Sequence, residues 1–325
     1  MELRNGLAGT GIEAAAGEAA LIEAAARPAD WIMSAIVGAA GLAPGLEALK
    51  QGTTLALANK ESLVAAGPLL MGEAARFGAT VLPVDSEHSA VFQALIGEEM
   101  AAVERIIITA SGGAFRDHPL SALESVTLVE ASSHPNWDMG QRITIDSASM
   151  FNKAMELIET KEFFGVRPDQ IETIIHPESL IHALIGFNDG ALMAHVGPPD
   201  MRHAIGFALN WPERKSLPVA RLDLAQIGQL NFRAPEHARY PALAIAQKVM
   251  DEGGLAGAVF NAAKEQALDH FIDGECGFTD MARAVDTVVD AMLSRQGLQN
   301  EAITLDSVQR ADAEARALAI ETLAK

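Results

Sequence analysis

The stretch Pro83 to Glu87, PVDSE, follows the apolar run 79–82 and so stands where a buried strand reaches the rim of its sheet. Open α/β sheets hold ligands at that edge. If the backbone stays extended there, Asp85 and Glu87 are two apart and point the same way. Two adjacent carboxylates repel, and a hard divalent cation with oxygen ligands resolves the conflict. Taken alone, the same residues also describe a solvated turn after a strand.

Four other stretches carry reactive or anion-binding groups. Asn59, Lys60, Glu61 and Ser62 directly follow the apolar TTLALA. A lysine at that rim either stabilises a developing oxyanion or is a solvated charge. Thr109 to Gly113, TASGG, offers unobstructed backbone N–H groups and the Ser111 hydroxyl as a phosphate cradle, or is a tight turn that needs glycine. In Asp146 to Glu159, DSASMFNKAMELIE, Asp146 or Ser147 is placed to cap a helix whose N–H groups then face an anion. Asn152, Lys153 and Glu156 share one face of that helix by their spacing. An ordinary ion pair accounts for Lys153 and Glu156. A phosphate held by Asn152 and Lys153, with Glu156 as a third metal carboxylate, accounts for them too. His134, Pro135, Asn136 and Trp137, with Met139 and Gly140 behind them, form a polar loop whose large apolar groups either close on a ligand or pack on a neighbouring helix. His176, His182 and His195 lie in strand-like stretches and read as satisfied sheet residues.

The elements that must position these groups alternate. Strands are expected at 31–37, 53–58 and 80–84, with helical periods around 46–50, over 63–77 and over 88–95 between and after them. Strands about 25 residues apart with intervening helices describe βαβ units and a parallel sheet. A further strand is expected at 105–109, an amphipathic helix over 150–164, strands at 173–185 and 191–196, and a short helix over 201–209. Proline and charge thicken from Trp211 to Pro241, as in a surface linker. The alanine-rich remainder, broken at 253–254, 273–277 and 296–300, reads as a helical bundle. The fold class is therefore α/β: an incomplete Rossmann-like parallel-sheet domain (1–85), an α+β catalytic domain (86–211), a linker (212–241) and a C-terminal helical domain (242–325). No strand followed by G-x-G-x-x-G occurs, since Gly6, Gly9 and Gly11 have the wrong order.

Composition narrows the partners. With 24 Lys plus Arg against 43 Asp plus Glu, the net charge is −19, which disfavours nucleic acid and anionic membranes. A phosphate site in such a field must be built locally. The single cysteine, Cys276, leaves no disulfide framework and no cysteine zinc site, in keeping with a reducing cytoplasm. Neither a spanning apolar run nor a signal sequence is found, so a soluble, unsecreted protein is expected.

ANKESL, PVDSEH, SGGAFR, HPNWDMG, DSASMFNKAMELIE and HPESLIH, in this order, closely resemble the 1-deoxy-D-xylulose 5-phosphate reductoisomerase family of the methylerythritol phosphate route to isoprenoids. The resemblance runs from about Trp31 to the C-terminus. It implies an NADPH-binding domain, a catalytic domain and a helical bundle, assembled as a homodimer. It further implies that Asp85, Glu87 and Glu156 bind Mg²⁺ or Mn²⁺ and that Lys60, Ser86 and Glu87 meet the sugar end of the substrate. Ser111, His134, Ser147, Asn152 and Lys153 would hold the substrate and its phosphate, and Asn59, Glu61, Met139 and Gly140 would touch NADPH. The loop around Trp137 would be the lid, over a retroaldol and aldol rearrangement followed by hydride transfer. The family's opening glycine-rich turn and the basic stretch after it do not occur here. About six dozen residues, one and a half βαβ units, are thus expected to be missing before Met1. That leaves, as an alternative, a chain without NADPH binding: a sugar phosphate-binding remnant or a non-redox aldolase or isomerase.

Overall fold

The structure, a computed structural model, describes residues 2–137, 139–295 and 298–324. Two short helices, α1 (Glu2–Gly6) and α2 (Glu18–Ala26), bury no residue of their own and lead into three parallel strands. These are β1 (Trp31–Ser34), β2 (Thr54–Leu57) and β3 (Thr80–Pro83), hydrogen-bonded in the order β1-β2-β3. Helices α3 (Leu42–Leu49) and α4 (Lys60–Phe77) make the crossovers. α4 begins cleanly because the Asn59 side chain accepts the Ser62 backbone N–H at 3.0 Å. It ends at Gly78, whose φ of 67° supplies the left-handed cap.

Helix α5 (Ser86–Ala94) leads to a second, four-stranded sheet. Its strands are β4 (Val103–Ala110), β5 (Ile171–Ile175), β6 (Ile181–Phe187) and β7 (Leu192–Val196), in the order β5-β4-β6-β7. β4 therefore belongs to this sheet rather than to the first. The single strand expected at 173–185 is two strands, because 176–179 turns and β4 lies between them, parallel to β5 and antiparallel to β6. Between β4 and β5 run α6 (Leu128–Ala131), α7 (Gln141–Ala148) and α8 (Phe151–Phe164). After β7 come α9 (Arg202–Asn210) and a mostly irregular stretch containing only α10 (Leu224–Ile227).

Four helices finish the chain: α11 (Pro241–Glu252), α12 (Ala256–Ile272), α13 (Phe278–Leu293) and α14 (Leu305–Leu323). Their breaks fall where the sequence places them, except that 296–297 lie outside the described residues. One apolar core joins α3, α4, α8 and β4 to these helices. α12 approaches α4 backbone to backbone at Gly257, where even a methyl group would collide with the Val64 carbonyl oxygen. The C-terminal helices thus fix the element that begins with Lys60. No helix among the described residues is long and apolar enough to cross a membrane.

Candidate active site

The strand does not carry PVDSE as expected. β3 stops at Pro83, Asp85 takes the N-cap position of α5, and Ser86 and Glu87 form its first turn. Asp85 and Glu87 converge nonetheless, because a helical turn brings both towards α8. Ligand oxygens of Asp85, Glu87 and Glu156 all lie within 4.8 Å of one another. Glu156 is 1% exposed.

Two ammonium groups lie among these oxygens. Lys60 Nζ rests against Asp85 Oδ2 and stands 3.1 Å from Glu156 Oε1. Lys153 Nζ reaches Glu87 Oε1 at 2.8 Å and also contacts Glu156 Oε2. Burial alone would lower both lysines, but the surrounding carboxylates outweigh it and hold them cationic, Glu156 foremost in each case. Burial likewise pushes Glu87 up, and Lys153 and Lys60 more than reverse this, keeping it well below the usual carboxylate range. Asn152 Nδ2 donates to Glu156 Oε1 at 2.6 Å, while its own Oδ1 is buried without a partner. Ser86 Oγ donates to Glu87 Oε2 at 2.5 Å.

This cluster forms one end of a cavity of about 320 Å³. The other end is the turn after β4, where Ser111, Ser147 and His134 line the wall. Thr109 Oγ1 donates to the Ile181 and His182 carbonyls at 2.6 and 2.9 Å and pins β4 to β6 before the turn. At Gly113, φ is 67°, and a Cβ would lie 2.6 Å from the Ser147 carbonyl oxygen, so only glycine lets this turn press on α7. Tyr240 Oη donates to the Gly112 carbonyl at 2.9 Å from the far side. Burial raises the Tyr240 phenol to about 12, so it stays a donor.

The hydrogen bonds assign the His134 tautomer. Its Nδ1 accepts the backbone N–H groups of Asn136 and Trp137 at 3.1 and 3.0 Å, so the proton sits on Nε2 and is donated to Ser111 Oγ at 3.0 Å. Burial, and then Arg116, lowers His134 to about 4, consistent with a neutral ring. Ser111 Oγ also accepts the Gly113 N–H at 3.1 Å. Its own proton is therefore free to point into the cavity.

Asp146 and Ser147 do not cap α8 as expected. Both belong to α7, whose last turn carries Ser147 to the cavity and buries Asp146 against Lys264 Nζ at 2.9 Å. α8 instead has Met150 at its N-cap position, at a φ of 65°, and its thioether side chain leaves the helix end without a side-chain cap. Met150 and Ser179 are the non-glycine residues at positive φ among those described, and both line the cavity. Strain of this kind concentrates at functional sites.

The loop readings are met in part. Trp137 and Met139 line the cavity, and Asn136 Nδ2 ties the loop to the Pro177 carbonyl at 2.6 Å. Asp138 of the same motif lies outside the described residues. Asn59, Glu61 and Gly140 do not line this cavity. They border a second one of about 590 Å³, which shares Ala58, Lys60 and Ile143 with the first. Asn59 is 2% exposed and donates to the Ile36 and Gly38 carbonyls at 2.5 and 3.0 Å, so it shapes that wall from behind.

Among the histidines, His176 is a satisfied sheet-end residue, bonded to the Asn231 carbonyl at 2.9 Å and accepting the Leu180 N–H at 3.2 Å. His182 keeps that reading as a buried residue of β6 and also lines the cavity, where burial keeps it below its ordinary value. His195 departs from it, because its buried Nδ1 has no partner. Sequence reasoning also passed over His88 and Glu159, which meet Asp85 to form a second group of ligand atoms within 4.8 Å. Their signal was spacing: His88 is one helical turn after Asp85, and Glu159 one turn after Glu156.

The donor set is all oxygen and anionic, which suits Mg²⁺ or Mn²⁺. The second cavity's apolar wall, with Ile36, Val37, Ile143 and Met155, suits a flat nicotinamide ring.

Known proteins are similar to this chain in sequence and fold. Residues 1–67 match the family described as 1-deoxy-D-xylulose 5-phosphate reductoisomerase, and residues 81–164 and 196–318 match two descriptions of that enzyme's C-terminal domain. The 1-deoxy-D-xylulose 5-phosphate reductoisomerase of Ruegeria pomeroyi is 69% identical over 324 residues, 100% of this chain and 82% of the relative. The solved structure of the 1-deoxy-D-xylulose 5-phosphate reductoisomerase from Zymomonas mobilis in complex with NADPH is 43% identical, with a TM-score of 0.91 over 99% of this chain and 82% of that one. A DOX-P reductoisomerase in complex with NADPH, fosmidomycin and magnesium is 36% identical, with a TM-score of 0.92 over 99% of this chain and 83% of that one. At that identity and coverage, the chain belongs to the 1-deoxy-D-xylulose 5-phosphate reductoisomerase family.

Proposed function

We propose that this chain converts 1-deoxy-D-xylulose 5-phosphate to 2-C-methyl-D-erythritol 4-phosphate with NADPH and Mg²⁺ or Mn²⁺. The observation that carries this reading is the convergence of Asp85, Glu87 and Glu156, threaded by Lys60 and Lys153, at one end of a cavity whose other end offers Ser111 and Ser147. When bound, the metal supplies Lewis acidity towards the substrate's carbonyl and hydroxyl oxygens, and NADPH supplies the hydride. The three carboxylates would hold the metal. Lys60, Ser86 and Glu87 orient the sugar end. Ser111, with its free hydroxyl proton, joins Ser147, Asn152, Lys153 and the uncapped start of α8 to bind phosphate, which fixes the reacting end at a distance. His134 holds Ser111 and its own loop in place, and Trp137 and Met139 exclude water above the cavity. Asn59, Glu61 and Gly140 border the cavity that would take the nicotinamide, while Met139 lines the neighbouring cavity beside them.

Four parts follow from the same reading: a partial NADPH-binding domain (1–85), the catalytic domain (86–211), a linker (212–241) and a helical domain (242–325). A homodimer is supported by the apolar groups that β7 and α9 leave exposed, including Leu192, Val196 and Leu209. An unpaired edge strand with an apolar surface is costly unless a second copy covers it. A single half-buried cysteine fits a cytoplasmic setting.

The test is NADPH consumption with 1-deoxy-D-xylulose 5-phosphate and Mn²⁺, with product identified by mass spectrometry. Turnover is expected in the wild type and none in Glu156→Gln. A rearranged product formed without NADPH consumption would instead establish a non-redox isomerase.

A further inference from the structure

Glu159 has no role in the reading above, yet it is 4% exposed and its Oε2 has no hydrogen-bond donor. Burial pushes its carboxyl above the ordinary range, which His88 and Lys60 only partly offset. A carboxylate buried without a partner is retained against a large desolvation cost.

Two basic groups stand nearest. His88 Nε2 faces the Glu156 carbonyl at 2.9 Å and Thr160 Oγ1 at 3.1 Å. The Thr160 hydroxyl is already donated to the same carbonyl at 2.7 Å, so His88 carries its proton on Nε2. His88 Nδ1 remains 3.8 Å from Glu159 Oε2 and 3.7 Å from Asp85 Oδ2, beyond hydrogen-bond range of either. Lys60 Nζ is 4.0 Å from Glu159 Oε2, and its other neighbours are Asp85 and Glu156. Those two residues are metal ligands in the proposed function. The Lys60 ammonium and a divalent ion therefore compete for the same oxygens.

We propose that Glu159 is the partner to which Lys60 turns when a divalent ion takes Asp85 and Glu156. The inference rests on the metal reading above and adds a positioning residue to it. The lysine stem is flexible enough to move its ammonium the short distance to Oε2. There it stays charged, close to the metal and aimed at the substrate's oxygens, instead of becoming a buried cation without a counter-charge. A hydrophobic residue at 159 would leave Lys60 nowhere to go, so metal entry would have to eject it.

The test is a double-mutant cycle on metal affinity in the absence of substrate, read by the electron paramagnetic resonance of Mn²⁺ titrated into the full chain. The wild type should take one Mn²⁺ per chain. Glu159→Gln should weaken that binding about tenfold, while the same change in a Lys60→Gln background should alter it less than about twofold. An equal loss in both backgrounds would show that Glu159 acts on the metal directly and would overturn the proposal. So would no loss in either background, or two ions per chain, since Asp85, His88 and Glu159 would then form a second metal site. If circular dichroism shows Glu159→Gln misfolded, Glu159→Asp, which keeps the charge but shortens its reach, enters the same cycle with the same criteria. A wild-type chain that takes up no Mn²⁺ refutes the metal reading itself.

Discussion

Lys153→Met tests whether the lysines neutralise the acidic cluster. Lys153 is 4% exposed and bonds Glu87 Oε1 at 2.8 Å while contacting Glu156 Oε2. Methionine keeps much of the stem and removes the charge, leaving Glu87 without its main counter-ion. Breaking a buried pair from one side costs about 3–5 kcal/mol. Because Lys60 still stands 3.1 Å from Glu156, the lower end applies, about 3 kcal/mol. For a chain of 325 residues that corresponds to a fall in melting temperature of roughly 4–5 °C. A divalent ion should replace the lost charge: at about 100 times its dissociation constant it returns about 2.7 kcal/mol by linkage. Scanning calorimetry with and without Mn²⁺ reads both effects. Mn²⁺ should raise the variant's melting temperature more than the wild type's, where the ion must first displace Lys153. In Glu156→Gln both ammoniums keep a carboxylate, so the cost should be about 1 kcal/mol, with no Mn²⁺ effect. A Lys153→Met chain within about 1 kcal/mol of wild type, or a larger Mn²⁺ shift in the wild type, would refute the reasoning.

Gly113→Ala should cost about 3 kcal/mol, combining a left-handed backbone with the collision against Ser147, whereas Gly140→Ala, whose Cβ meets nothing within 4 Å, should stay within about 0.5 kcal/mol; thermal melting compares them. His134 is held near 4 when its loop is docked and returns to about 6.5 when the loop is free, so the free loop binds the extra proton between those values. Docking is then fully present above pH 6.5 and is lost as pH falls towards 4, visible as a shift of the Trp137 indole N–H resonance; a resonance constant down to pH 4 would count against it. Leu209→Asp, at a residue 60% exposed, should convert a dimer to a monomer in light scattering while sparing the melting temperature of the monomer fold.

The elements that announce themselves by periodicity were legible: β1 to β3, α4, α8 and the C-terminal helices all fall close to their expected spans. The errors lie where the chain reverses over a few residues. PVDSE reads as extended because proline and the apolar run favour a strand, yet Asp85 starts a helix. HPES was absorbed into one strand because hydrophobic residues continue on both sides, and no local signal says that β4 will pass between them. Asp146 carries the signature of a cap, but its buried partner Lys264 comes from a helix more than a hundred residues later. The carboxylate triad was legible because Glu156 shares a helix face with Asn152 and Lys153. Glu159, on the next turn of that face, is marked in the sequence only by its spacing from Glu156, a signal that becomes specific once its burial is known.

The Tyr240 phenol on the Gly112 carbonyl, with Arg239 on the Phe115 carbonyl at 2.9 Å, has a consequence for protein engineering. The entrance to the terminal helices is the far wall of the mould that shapes the serine turn. A chimaera that exchanges those helices with a relative's must keep Arg239 and Tyr240 matched to the host's glycine pair. Otherwise a graft more than a hundred residues from Ser111 would change how the protein greets an anion.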